Sequence, residues 1–230
     1  MQISSAHTQP FCAGDMQNAR VLVIGHDPRL QSSDAIAEHA FFADYFFQPA
    51  PEQASERAKY ALAESVYGYV NHLTSGRYET GELVLTNLCN APLPHAPRFK
   101  TALIPEAAAQ AGLEAIQAIL GQGRIELVFA MSQQVNYWLQ KLGFYPPVVE
   151  FLEMADPRPE GLQHDPPYYE PRQNRAFQLI CGQRYSDGVR AVIPILHVKN
   201  WPLTGRFAAA YGQAYRNLIY DLKYMRRPGE

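Results

Sequence analysis

Val21-Leu22-Val23-Ile24-Gly25-His26-Asp27-Pro28-Arg29 is the stretch on which the fold turns. Four aliphatic residues, three of them β-branched, read as a short strand buried on both faces. The run breaks at Gly25 and passes directly into an imidazole, a carboxylate and a proline turn. In open α/β sheets the carboxyl ends of the strands are where ligands bind, so His26 and Asp27 stand where chemistry is expected. The competing reading is an ordinary Gly/Pro turn with Asp27 as its cap.

The same pattern recurs along the chain. Residues 83–86 form a second apolar run, emptying into Asn87-Leu88-Cys89-Asn90-Ala91-Pro92-Leu93-Pro94-His95. Residues 127–130 form a third, followed by Met131-Ser132-Gln133. Residues 192–196 form the last, emptying into His197-Val198-Lys199-Asn200-Trp201-Pro202-Leu203. Pro194 predicts an edge, a bulge or a loose pairing there. Between the strands lie helical patterns over 35–47, 56–73, 104–120 and 134–142, and a closing helix over 206–227. Ser32-Ser33-Asp34 is the expected cap of the first. Within it Phe41/Tyr45 and Phe42/Phe46 have the spacing of one helical face. The closing helix carries Tyr211, Tyr215, Leu218 and Leu222 on one stripe. Alternating strands and helices predict a doubly wound α/β sandwich with its site at the strand C-termini.

The chain of 230 residues is read as a single domain, 1–230, with a Pro/Tyr-rich insertion at about 146–175. That segment holds His164 and Tyr168-Tyr169, which read as loop residues, packing residues or a lid. Residues 1–19 read as a partly ordered lead-in. Hydrophobic residues make up 47% and charged residues 18%, a balance that suits a chain with a real core. No apolar run approaches the ~18 residues of a membrane span. The first twenty residues lack a basic start followed by an apolar run, so no export signal is expected, and a cytoplasmic location is. Three scattered cysteines, Cys12, Cys89 and Cys181, argue against a disulfide framework, a zinc site or an iron–sulfur cluster. No metal is expected. The glycine patterns of dinucleotide and P-loop sites are missing, so no nucleotide cofactor is expected either. A net charge of -2 weighs against general nucleic-acid binding, while leaving room for a local basic strip from Arg29, Arg98, Lys100, Lys199 and Arg206.

The polar residues at the strand ends form a consistent chemical set. A carboxamide such as Asn87 offers one donor group and one acceptor in a plane, enough to read the edge of a base. Asn90 competes for that role. An aromatic ring, Phe41 or Phe42, can stack on the base face, although either ring is equally suited to the core. A histidine such as His197 can donate to an oxygen that becomes anionic as a base departs. A carboxylate such as Asp27 can orient a water and stabilise a cationic sugar. These are the parts needed to break an N-glycosidic bond, with no metal.

In order and spacing these motifs resemble the uracil-DNA glycosylase superfamily. In the best-known branch of that family the first motif reads Gly-Gln-Asp-Pro-Tyr; here it is Gly25-His26-Asp27-Pro28-Arg29. A stacking Phe follows, matched by Phe41 or Phe42, and an Asn ends the next strand, matched by Asn87. The second motif, His-Pro-Ser-Pro-Leu, corresponds to His197-Val198-Lys199-Asn200-Trp201-Pro202-Leu203. The likeness runs from Val21 to Leu203 outside the insertion. It implies a three-layer α/β/α sandwich with a short, mostly parallel sheet. It also implies a monofunctional, monomeric DNA glycosylase of base-excision repair, acting on single- or double-stranded DNA with a damaged or deaminated base.

By the same resemblance Asp27 and His197 are the catalytic residues. His26, Phe41, Phe42 and Asn87 are the base-binding residues. Arg29, Lys199, Trp201 and Leu203 contact DNA, with Leu203 or Trp201 as the wedge. The departures are specific. Arg29 stands where a Tyr screens out 5-methylated pyrimidines, and Val198-Lys199 stands where Pro-Ser pinches the phosphate backbone. The four-Cys cluster of the iron–sulfur branch is missing, so a divergent branch is implied. Two other readings keep the same residues: a hydrolase of a small nucleoside-like molecule, and a nucleic-acid-binding member without turnover.

Overall fold

Four five-residue strands are buried along their whole length, and they set the frame: β2 (Val21–Gly25), β3 (Leu83–Asn87), β4 (Leu127–Met131) and β6 (Ala191–Ile195). The computed structural model describes residues 8–26, 37–91, 93, 104–146 and 175–225. All four strands run parallel, in the order β3-β2-β4-β6, within a six-stranded sheet. Burial on both faces is the reason their sequences are continuously apolar rather than alternating.

Two short antiparallel strands complete the edges. β1 (Phe11–Cys12) pairs with β3, and β5 (Tyr185–Ser186) pairs with β6. Residues 8–19 therefore contribute an edge strand, where the sequence reads as a lead-in. Two residues carry too little periodicity to be recognised, and such short edges expose few unpaired backbone groups. Pro194 faces Ala130 in the register with β4 and lies beyond the end of β5. On that outer side its carbonyl accepts from the Gly182 N–H at 2.8 Å. The loose pairing expected of a strand proline is met there.

The helices are α1 (Ala54–Leu73), α2 (Glu106–Gln122), α3 (Gln133–Lys141), α4 (Arg175–Ile180) and α5 (Gly205–Tyr224). The connection from β2 to β3 runs one way along the sheet; those from β3 to β4 and from β4 to β6 run the other way. Right-handed crossovers then put α1 on one face and α2 and α3 on the other. The packing agrees, with α1 against α5 and α2 against α3. The architecture is a mixed α/β fold with a mostly parallel sheet, compatible with a three-layer sandwich. Gly112 lets α2 approach the exit of β3: a Cβ there would run into the Leu88 carbonyl. The stripe on α5 is buried as expected, with Tyr211, Tyr215, Leu218 and Leu222 facing the core.

One expected helix is replaced. Residues 40–47 form a 3-10 segment, Ala40–Phe47, interrupted by two left-handed residues, Phe41 (φ 59, ψ 17) and Phe42 (φ 54, ψ 36). Phe41 enters the main core, whereas Phe42 packs with Ala37 in a separate small cluster. A left-handed non-glycine residue costs ~1–3 kcal/mol, and burying a phenylalanine side chain returns ~1.5–3 kcal/mol. The two are of the same size, so burial of the rings offsets the cost of leaving helical geometry. The expected cap at residues 32–34 and nearly all of the insertion, residues 147–174, lie outside the described residues. No helix among the described residues is long and apolar enough to cross a membrane.

Candidate functional site

The strand order reverses between β2 and β4, so the crevice of this sheet opens at their carboxyl ends. Gly25 closes β2 and pairs with Asn87 at the end of β3. A Cβ built on Gly25 would stand 2.5 Å from Asn87 Oδ1 and 3.0 Å from Phe41 Cε1, with Phe41 Cζ closer still. Only a residue without a side chain lets the ring and the carboxamide meet there. Phe41, rather than Phe42, is the aromatic brought to this point.

Asn87 is 1% exposed. Its Nδ2 has no hydrogen-bond partner among the described residues. An unsatisfied buried donor costs ~1–3 kcal/mol, and native cores rarely tolerate one without cause. Asn90, the alternative reader, is half-buried; its N–H and C=O lie in the next loop, where the carbonyl accepts from Thr8 at 2.9 Å. His26 is buried at the foot of the first loop, where its carbonyl accepts from the Cys89 N–H at 3.0 Å. The first and second loops are thereby tied by backbone bonds at their base, including Leu88 N–H to Gly25 C=O at 2.9 Å.

β4 ends in a feature that the sequence does not announce. Ser132 is left-handed (φ 84) and caps α3. Its N–H donates to the Ile195 carbonyl at 2.9 Å, and its own carbonyl accepts from Asn136 Nδ2 at 2.8 Å. Asn136 Nδ2 also donates to Ala130 O at 2.8 Å, and Tyr145 donates to Asn136 Oδ1 at 2.8 Å. The strained turn is thus fixed from several sides. The Ser132 hydroxyl is buried and has no partner among the described residues.

The fourth strand delivers His197 as the cap of a 3-10 turn, Val198–Asn200. His197 Nδ1 accepts from the Lys199 N–H at 3.2 Å. In a neutral ring that bond leaves the proton on Nε2, which makes Nε2 the donor. Lys199 is exposed, and partial burial of its ammonium pulls its pKa below the ordinary lysine value. Trp201 does not project as a bare wedge: its ring stacks on Tyr69 at 5.0 Å and lies 4.5 Å from the His72 ring. Leu203 is half-buried against the core.

Asp27 and Arg29 lie outside the described residues, as do Arg98 and Lys100 of the expected basic strip. Of that strip, Lys199 and Arg206 are seen, and both are exposed. Among the described residues no group of three or more His, Cys, Asp and Glu side chains is placed to hold a metal ion. The sequence matches no protein-family model and no curated protein.

Gly25 as the floor of the site, Ser132, and the pair Tyr69 and Tyr215 beneath the fourth loop carry no role in the sequence reading. A strand-terminal glycine before two polar residues is a usable signal for the first. The other three depend on long-range contacts that no local pattern encodes.

Proposed function

We propose that this chain is a DNA glycosylase-like protein that hydrolyses the N-glycosidic bond of a damaged or deaminated base. The observation that carries the reading is the convergence of the Phe41 ring and the Asn87 carboxamide over Gly25, with Asn87 Nδ2 buried and unpartnered. An aromatic face beside a buried donor and acceptor pair is what a flipped base requires. The base stacks on the ring and supplies the partner that Nδ2 lacks. The uracil-DNA glycosylase-like form of the α/β sandwich belongs to the same proposal, supported by the parallel sheet with polar loops at its carboxyl end.

The roles follow from the chemistry. As the glycosidic bond breaks, the electron pair passes to the base and the sugar becomes oxocarbenium-like. His197 donates from Nε2 to the base oxygen on which the charge gathers, the kind of stabilisation that is strongest in a water-poor site. Asp27 orients the water that attacks the sugar. Lys199 contacts phosphate, and Leu203 fills the space left in the duplex. Trp201, already stacked, holds the loop instead. No metal and no cofactor take part in this scheme, and the protein acts as a monomer.

The test is abasic-site formation on oligonucleotides carrying uracil, hypoxanthine, xanthine or hydroxymethyluracil, single- and double-stranded, at low salt. Product formation that falls steeply in Asp27→Asn and in His197→Ala supports base excision. A folded protein giving no product on any lesion overturns it, and free nucleosides are then the substrates to try.

A further inference from the structure

Leu196, the residue before His197, is gripped on both of its backbone polar groups by two tyrosines from different helices. Its N–H donates to Tyr215 Oη at 2.8 Å, and its carbonyl accepts from Tyr69 Oη at 3.3 Å. The two hydroxyls also bond to each other. The donor count fixes the direction around this ring of bonds. Leu196 N–H can only give and Leu196 C=O can only accept, so Tyr215 donates to Tyr69 and Tyr69 donates to Leu196. Cys181 Sγ adds a weaker contact to Tyr215 Oη at 3.9 Å. Tyr69 is fully buried and Tyr215 nearly so.

The same two rings hold the far side of the loop. Trp201 stacks on Tyr69 at 5.0 Å with planes 21° apart, and lies 6.4 Å from Tyr215 with planes 19° apart. The Tyr69 and Tyr215 rings are themselves parallel within 2°. Residues 197–200 therefore lie between Leu196 and Trp201, both anchored on one tyrosine pair that joins α1 to α5, with Val198 buried in the core between them.

We propose that Tyr69 and Tyr215 are positioning residues that set the place of the His197 imidazole. They touch neither substrate nor reacting atoms; they act by fixing where the loop begins and ends. The inference rests on His197 acting in the reaction proposed above. A displacement of about 1 Å at a reacting group can cost ~100-fold in rate, so a hydroxyl buried under the loop is expected to matter for turnover.

The experiment is a double-variant cycle on single-turnover base excision with Tyr215→Phe, Tyr69→Phe and His197→Ala. It is joined by long-range proton–nitrogen spectra of the histidine rings, with the His197 signals assigned from His197→Ala. Tyr215→Phe is expected to lower the rate about 10- to 100-fold. Tyr69→Phe, which loses the longer 3.3 Å bond, should lower it less. Neither should change the rate further in the His197→Ala background, and both should shift the His197 ring signals in the folded protein. Effects that add fully to that of His197→Ala overturn the proposal, because the tyrosines would then act elsewhere. Should Tyr215→Phe fail to fold, Tyr69→Phe carries the same comparison. If the parent protein excises no base, the failure is that of the glycosylase reading, and the ring signals alone decide: His197 signals unmoved in either folded variant overturn the clamp.

Discussion

Phe41 and Asn87 come from segments 46 positions apart, yet the ring of one and the carboxamide of the other occupy the space where Gly25 has no side chain. Phe41 adopts a left-handed backbone to reach this point, and Asn87 leaves a buried donor unpaired there. Two local costs spent at one place are what the proposed base-binding role would explain.

The first prediction concerns Gly25. Gly25→Ala puts a methyl group against Asn87 Oδ1 and the Phe41 ring. Overpacking of this kind costs ~1–3 kcal/mol. The expected outcome is a lower melting temperature and loss of binding to lesion-bearing oligonucleotides, checked by thermal unfolding and by fluorescence anisotropy.

Asn87 should separate stability from function. Asn87→Ala removes an unpartnered buried donor, a gain of ~1–3 kcal/mol, against the loss of a few buried atoms. Thermal unfolding should show a melting temperature equal to or above that of the parent, while base excision is lost. A marked fall in stability would mean that Asn87 is a structural residue.

The two phenylalanines should differ. Phe41→Ala empties a place in the main core and removes the stacking face, at ~3–5 kcal/mol. Phe42 lies in the small cluster around Ala37 and not in the main core, so Phe42→Ala should cost less and leave binding in place. Denaturant unfolding of both variants measures the difference.

Asp187 gives a pH prediction remote from the site. Burial raises its pKa, but the backbone N–H groups of Arg190 and Val189 and the Arg190 guanidinium outweigh it, and the net shift is below the ordinary value of 3.8. The folded value is the lower one, so this carboxylate contributes stability that is present above pH ~4 and fades as the pH falls through the folded value. Asp187→Asn should be less stable than the parent at neutral pH, and the gap should narrow in urea titrations carried out below pH 3.8.

Much of the frame is legible from the residues. Continuous aliphatic runs predict buried parallel strands because both faces are covered, and all four lie within one residue of the expected bounds. The buried stripe of α5 follows from helical spacing. What escapes is non-local. The spacing of Phe41, Phe42, Tyr45 and Phe46 suits a helix, yet Phe41 and Phe42 are left-handed, and Phe41 fills the space above Gly25. Trp201 reads as an exposed wedge until Tyr69 and Tyr215 are seen beneath it. Ser132 looks like a helix lead-in, and its left-handed backbone is imposed by Asn136 and Ile195. Of the candidate site, the loops that bear it are legible, and the contacts that shape it are not.

The most direct test is the single-turnover rate of abasic-site formation by the parent protein beside Asn87→Ala, on the lesion that gives most product. Convergence of ring and carboxamide on a flipped base predicts product from the parent and a rate at least about 100-fold lower in a variant that remains as stable. Equal rates for the two proteins, or no product from a folded parent on any lesion, would contradict it.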